Sequence, residues 1–236
     1  MKRLTLGFAA LLLTFTSFAQ NAIKDANAEV RQVKSFHAIR VSAGIELLLV
    51  QGKEEAVAVS ANSTELRDRI QTVVEDGVLK ISFDNKLWKN NSNRRLKAYV
   101  SAVRIDGLDI SSGASVTIDG HLKTSKLDLE ASSGAMFKGA VEADELSVDQ
   151  SSGSIINISG KAGNLKVDGS SGSVFNGYEL EAKNGEAEIS SGGQINMNVN
   201  NDLSAEASSG GAISYKGKAV IRNIKTSSGG GVRRKS

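Results

Sequence analysis

Asp149-Gln150-Ser151-Ser152-Gly153-Ser154-Ile155-Ile156-Asn157 returns 19 residues later as Asp168-Gly169-Ser170-Ser171-Gly172-Ser173-Val174-Phe175-Asn176. In both stretches an acid stands two positions before a Ser-Ser-Gly triplet, an apolar residue three positions after its glycine, and an asparagine beside that. The triplet occurs seven times, with first serines at Ser111, Ser132, Ser151, Ser170, Ser190, Ser208 and Ser227. The spacings of 21, 19, 19, 20, 18 and 19 residues place one turn at the same point of each successive coil, the mark of a stacked repeat.

Alignment on the first serine brings out two apolar columns. Three positions before it stand Leu108, Leu129, Val148, Val167, Ala187, Ala205 and Ile224. Three positions after the glycine stand Val116, Phe137, Ile156, Phe175, Ile195, Ile213 and Val232. Alternate residues of a strand face opposite sides, so both columns point into the coil and their neighbours point out. A third apolar element, Leu122, Val141, Ala162, Leu180, Val199 and Ala219, predicts three short strands per coil. One coil cannot bury its own apolar face, but stacking at about 4.8 Å satisfies both side chains and backbone. The expected fold is all-β: a single-stranded parallel β-helix, or β-solenoid, right-handed by the general preference of crossovers, with irregular strands and a hairpin at its N-terminal end.

The triplet itself has a mechanical reason. Glycine adopts positive φ at a sharp corner, and serine hydroxyls bond backbone groups that a corner leaves unpaired.

Met1-Lys2-Arg3, an apolar run from Leu4 to Phe18 and the small-residue site Ser17-Phe18-Ala19 read as a secretory signal peptide, with the mature chain starting at Gln20. The expected organisation is a signal peptide at 1–19, an N-terminal segment at 20–32, one solenoid domain at 33–232 and a basic tail at 233–236. Within the domain, 33–105 are N-terminal strands and 106–232 are the Ser-Ser-Gly coils. No later segment is long and apolar enough for a membrane helix. Cysteine is absent, which excludes disulfides, thiol chemistry, cysteine-ligated metals and a thioether-linked lipid anchor. Without Lys2 and Arg3 the 29 basic residues become 27 against 26 acidic ones, so net charge gives no nucleic-acid signal.

Ahead of the coils, Val41 to Val50 and Ala56 to Ala61 read as strands separated by a turn at Gln51-Gly52-Lys53-Glu54. Thr64 to Ile70 reads as a short helix, and Asp76-Gly77 between apolar segments is the strongest hairpin signal of the chain.

The export signal, Ala43-Gly44-Ile45-Glu46 followed by Gln51-Gly52, the Asp76-Gly77-Val78-Leu79-Lys80-Ile81 hairpin and the Ser-Gly coils together resemble the head GIN domain family of Bacteroidetes. That family is known both as putative autotransporter adhesins and as a domain of unknown function. The resemblance spans roughly residues 33 to 220. It implies a β-helix-like fold and an envelope or surface location, and it brings no catalytic residues. An autotransporter carries its own membrane barrel, which needs many alternating segments of about ten residues with aromatic girdles. This sequence has no such set, so another machine would deliver it to the surface.

Asp109, Glu130, Asp149, Asp168, Glu188 and Glu206 occupy equivalent positions two residues before their triplets, with Lys225 in the seventh coil. Stacked carboxylates repel, so either each carboxylate accepts bonds from the amides of its own corner or the row holds cations, calcium being the candidate. The nonapeptide signature of calcium-binding β-helices is absent. Asn157, Asn176 and Asn196 form an amide row that hydrogen-bonds along the stack. Trp88, among Lys86, Lys89, Arg94 and Arg95, either forms an exposed aromatic platform for a partner or packs over the end of the helix. His37 and His121 lie in no metal-ligand spacing, and no Gly-x-Ser-x-Gly elbow occurs, so no catalytic residue is assigned.

These features predict an exported, non-enzymatic envelope solenoid acting as an adhesin-like binding module for a glycan, matrix or protein partner, with no cofactor, in the periplasm, on the outer-membrane surface or outside the cell. The alternatives are a carbohydrate-active enzyme on the same scaffold and a purely structural envelope protein.

Overall fold

A computed structural model describes residues 25–85 and 94–235. Its architecture follows from the corners. In all seven triplets the second serine has φ between 46° and 54° and the glycine between 70° and 78°. Two consecutive left-handed residues make the turn of a type I′ loop, closed by the N–H of the next residue donating to the first serine carbonyl at 2.8–3.1 Å. The glycine was expected at positive φ; the serine before it is there too, at a cost glycine would not bear. From Gly113 to Gly210 each glycine N–H then donates to the second serine carbonyl of the following coil at 3.0–3.1 Å, so a corner is also a rung between coils.

Between corners the chain runs as one long strand per coil, bent and bulged, in place of three short ones. These are β9 (Ser115–Ala131), β10 (Met136–Gln150), β11 (Ile155–Gly169), β12 (Val174–Ile189) and β13 (Gln194–Ala207), after which β14 (Ala212–Lys216), β15 (Val220–Thr226) and β16 (Gly231–Arg234) complete the stack. All pair in parallel and in register, so Val116, Phe137, Ile156, Phe175, Ile195, Ile213 and Val232 are successive neighbours, as are Leu108 through Ile224. From Val116 to Ile213 the first of these columns is buried. The third column breaks at three steps: Val141 to Ala162, Ala162 to Leu180, which pairs with Gly160 instead, and Leu180 to Val199, which pairs with Ala182. Val141 pairs with Gly160, and Ala162 pairs with Ala143 and Ala182. Gly160 is needed there: at φ 112° a Cβ would lie 2.1 Å from the Val141 carbonyl oxygen.

The N-terminal region belongs to the same solenoid more closely than its sequence indicates. It contains β1 (Glu29–Arg31), β2 (Ala38–Val41), β3 (Glu46–Gln51), β4 (Ala56–Ala61), a short helix α1 (Thr64–Asp68), β5 (Ile70–Glu75), β6 (Val78–Phe83), β7 (Leu96–Ala102) and β8 (Gly107–Ile110). The expected strand over Val41–Val50 is broken by a corner, Ser42-Ala43-Gly44, with φ of 63° and 72° and the same glycine rung to Ser112 at 3.0 Å. Alanine in place of the second serine hides this eighth corner from a search for the triplet. β2 lies between β6 and β8, and β3 between β7 and β9, all in parallel. The chain therefore starts one coil inside the stack, builds the outermost coil from β6 and β7, and steps back over its own first coil.

Antiparallel strands close that end. β4 covers the edge of β7, β1 covers β4, and β5 folds onto β6 through the Asp76-Gly77 hairpin, where both residues have positive φ. Helix α1 begins at Ser63, whose hydroxyl accepts the Leu66 N–H at 3.3 Å, and it buries Leu66.

Gly153 and Gly160 separate two kinds of glycine requirement. A Cβ at Gly153 meets nothing within 4 Å, so Gly153→Ala should cost about 1–2 kcal/mol from φ alone, whereas Gly160→Ala must also displace backbone and should lower the melting temperature clearly more. Equal melting temperatures would contradict this. Gln150 turns its amide into the core, where neither Nε2 nor Oε1 has a protein partner. Gln150→Leu is expected to hold or raise the melting temperature, and a fall of several degrees in thermal melts would overturn that expectation.

Candidate functional site

Parallel register converts each outward position into a row running along the solenoid. The row before the corners is Asp109, Glu130, Asp149, Asp168, Glu188 and Glu206, as the sequence spacing predicts. Its upstream neighbour is Arg40 and its downstream neighbour Lys225, so a cation stands at each end. Arg40 Nε donates to Asp109 Oδ2 at 2.5 Å, and Lys225 Nζ lies 3.5 Å from Glu206 Oε2. Lys166 sits 3.5 Å from Asp168 and 3.7 Å from Glu186.

The expectation that corner amides hold these carboxylates is not met. The N–H groups of the first serine, the glycine and the residue after it all donate to carbonyl oxygens within or between corners. The acids are instead exposed or half-buried, and Asp109, Asp168 and Glu206 pair with a neighbouring cation, an arrangement in which each surface pair contributes little. Asp149 is the least compensated: partial desolvation first, and then the like charge of Asp168, push its carboxyl above the ordinary carboxylate range. The row borders an open groove of about 330 Å³ shared with Gln150 and Ser151. Among the described residues, no three acids or histidines converge on a point that could hold a metal ion.

A second row lies beyond the corner. Asn176 Nδ2 donates to Asn157 Oδ1 at 3.0 Å and Asn196 Nδ2 to Asn176 Oδ1 at 3.0 Å, the expected amide ladder. A parallel ladder on another side, Asn164, Asn184 and Asn201 with bonds of 2.8 and 2.9 Å, is hidden in the sequence because the coil from Ser190 to Ser208 is the shortest and moves Asn201 out of the simple count. Beside Asn157 and Asn176 the outward positions one step nearer the corner are Met136, Ile155 and Val174, adjacent in register. Met136 is 49% and Ile155 38% exposed, an apolar strip facing water. On the other flank of the amide ladder a groove of about 650 Å³ is lined by Lys138, Asn157, Asn176, Tyr178 and Glu179.

The remaining candidates do not join these rows. Lys86, Trp88 and Lys89 lie outside the described residues. The flanking residues sit where other coils have their corner, between β6 and β7. Arg94 stacks 5.0 Å from the Phe83 ring and donates to Asn85 Oδ1 at 2.8 Å, while the Arg95 N–H donates to Asn62 Oδ1 at 3.3 Å. Both arginines are exposed. His37 Nδ1 is 2.7 Å from Asp106 Oδ1, and Arg104 pairs with the same carboxylate. Partial burial opposes ionisation there, but the bonds and charges of His37 and Arg104 outweigh it and hold the Asp106 carboxyl below the usual range. The ring packs over Gly77, where a Cβ would come within 2.6 Å of it, so the pair fastens the hairpin to the coil below.

Asp149 gives a pH test. Its folded-state pKa is raised, so the ionised form destabilises the fold above that pKa and the penalty vanishes below the unfolded value. Asp149→Asn should raise the melting temperature at pH 7, with the gain shrinking as pH falls through the carboxylate range. A gain independent of pH, or a loss at pH 7, would contradict the charge argument.

Solved structures share this architecture. An adhesin-titled structure from Bacteroides fragilis aligns with a TM-score of 0.79 at 19% identity, covering 88% of this chain and 96% of that one. A structure from Parabacteroides distasonis titled as a lipid binding protein aligns with a TM-score of 0.69 at 19% identity, covering 89% and 98%. An adhesin-titled structure from Parabacteroides merdae gives 0.67 at 14% identity, covering 89% and 95%. At these identities the likeness establishes the fold alone. A comparison with curated proteins finds no match. The family model described as "Putative auto-transporter adhesin, head GIN domain" matches residues 35–219, and the chain belongs to that family.

Proposed function

We propose that the protein is an exported, non-enzymatic binding module of the cell envelope, released from a signal peptide at residues 1–19, whose working surface is the row-bearing side of the solenoid. The observation that carries this is the coil-to-coil register: equivalent side chains recur along one face, which suits a repeating partner better than a single small substrate. Family membership supports an envelope or surface setting. No helix among the described residues is long and apolar enough to cross a membrane.

The face combining Met136, Ile155 and Val174 with the Asn157-Asn176-Asn196 ladder has the chemistry for a glycan. Apolar side chains cover the hydrophobic faces of sugar rings, and Asn157 and Asn176, which reach the surface, keep hydrogen-bonding capacity beyond their ladder bonds. A matrix polymer or a protein with a repeating surface fits the same geometry.

Glycan and matrix arrays probed with the mature chain should give saturable binding, reduced about tenfold or more by Ile155→Asp combined with Met136→Asp, with no oligosaccharide released over time. Time-dependent release would establish an enzyme instead. Protease accessibility on intact cells should place the solenoid at the envelope; a purely cytoplasmic chain would sink the reading.

A further inference from the structure

The two ends of the solenoid are finished differently. At the N-terminal end β1, β4, β5 and α1 cover the last coil. At the other end β15 and β16 each pair on one side only, with β13 and β14, and no described residue covers their outer edges. All seven residues of β15 are exposed. The core columns run out there: Ile221 follows Leu203 and is 38% exposed, and Ile224 follows Ala205 and is 42% exposed. Every glycine rung is filled up to Gly210, which donates to Ser228 at 3.1 Å; the Gly229 N–H points the same way with no further coil among the described residues to receive it.

Charge is partitioned along the same axis. From Ala207 onward the sequence has seven lysines and arginines and no acid, leaving 22 of the 29 basic residues beside all 26 acidic ones upstream. Arg222 and Lys225 already pair with Asp202 at 2.6 Å and Glu206 at 3.5 Å on the coil behind them, and both remain more than 60% exposed.

The geometry points to strand addition at this end: an extended, acidic segment of a partner protein pairs with β15 and β16 as one further coil. A second copy docking end to end would set two basic coils against each other, and docking to the opposite end would meet the antiparallel strands β5 and β4, which cover β6 and β7, in place of a parallel coil edge. An anionic membrane answers the charge but leaves the backbone edge unpaired, and unpaired strand edges are what strand addition satisfies. The incoming segment needs an apolar residue over Ile224 and an acid over Lys225, because the chain follows that rule on the other side, with Ala205 and Glu206 in those places. This surface is separate from the amide-ladder face, so loss of glycan binding would leave it standing.

The probe is a synthetic peptide copying Val199–Ala207, Val-Asn-Asn-Asp-Leu-Ser-Ala-Glu-Ala, added to the mature chain. Saturable binding is expected, with amide chemical-shift changes confined to residues 220–234, weakening with salt and falling about tenfold for a peptide whose Asp and Glu are replaced by Lys. Arg222→Glu with Lys225→Glu should abolish binding, and Ile224→Ser should weaken it while thermal melts show the solenoid intact. No binding, equal binding of the charge-reversed peptide, shifts on another face, or binding to phosphatidylserine vesicles in place of the peptide would each overturn the proposal.

Discussion

Everything in this molecule depends on a corner that both turns the chain and bonds to the next corner. Two left-handed residues reverse the path, and the glycine N–H reaches the serine carbonyl one coil further on at 3.0–3.1 Å. Because that rung admits one partner, it fixes the vertical alignment of every residue between corners. A slip by one position would turn Phe137, Ile156 and Phe175 out to water and bring carboxylates in, a loss of several kcal/mol per coil. Register and core therefore enforce each other, and coil length can vary by bulging between corners without disturbing either.

The same constraint explains which parts of the structure were legible. Columns keyed to the corner, from Leu108 to Ile224 and from Val116 to Val232, could be counted from the triplet because both lie within a few residues of the fixed point. Farther from the corner bulges accumulate, and the count fails: Ala162 takes a different row from Val141, and Asn201 joins a ladder that spacing does not reveal. Ser42-Ala43-Gly44 escaped for another reason. Its geometry is that of a Ser-Ser-Gly corner, but the backbone asks for φ > 0 and a following glycine, and alanine meets that demand here without the matching letter. Gly44 supplies the bond to Ser112 at this corner, so what reads in the sequence as the interior of a strand is the first rung of the stack.

The acid row shows how far a pattern can mislead about its cause. Its alignment follows from the triplet, yet bonding to corner amides does not explain its tolerance: the N–H groups of the first serine, the glycine and the residue after it go to carbonyl oxygens, and no carboxylate of the row accepts the second serine's N–H. What remains is solvent and scattered cations, with Arg40 and Lys225 at the two ends. Rows of exposed like charges are tolerated when the backbone that aligns them is stabilised elsewhere, and here the buried columns on the opposite side of the same strands supply that stability.

A stack of this kind has no natural length, so something must stop it at each end. At the N-terminal end the chain does this by topology: it starts one coil in, lays β6 and β7 outside its own first coil, and covers their outer edges with the antiparallel strands β5 and β4. At the C-terminal end no described residue forms such a seal, and charge stands in its place. Exposed Ile221 and Ile224 and an open edge would invite copies to stack without limit, and seven positive charges with no acid make that self-stacking repulsive while leaving the edge available to a partner of opposite sign. One end is closed by hydrogen bonding and the other is guarded by electrostatics, and only a guard of the second kind discriminates among partners.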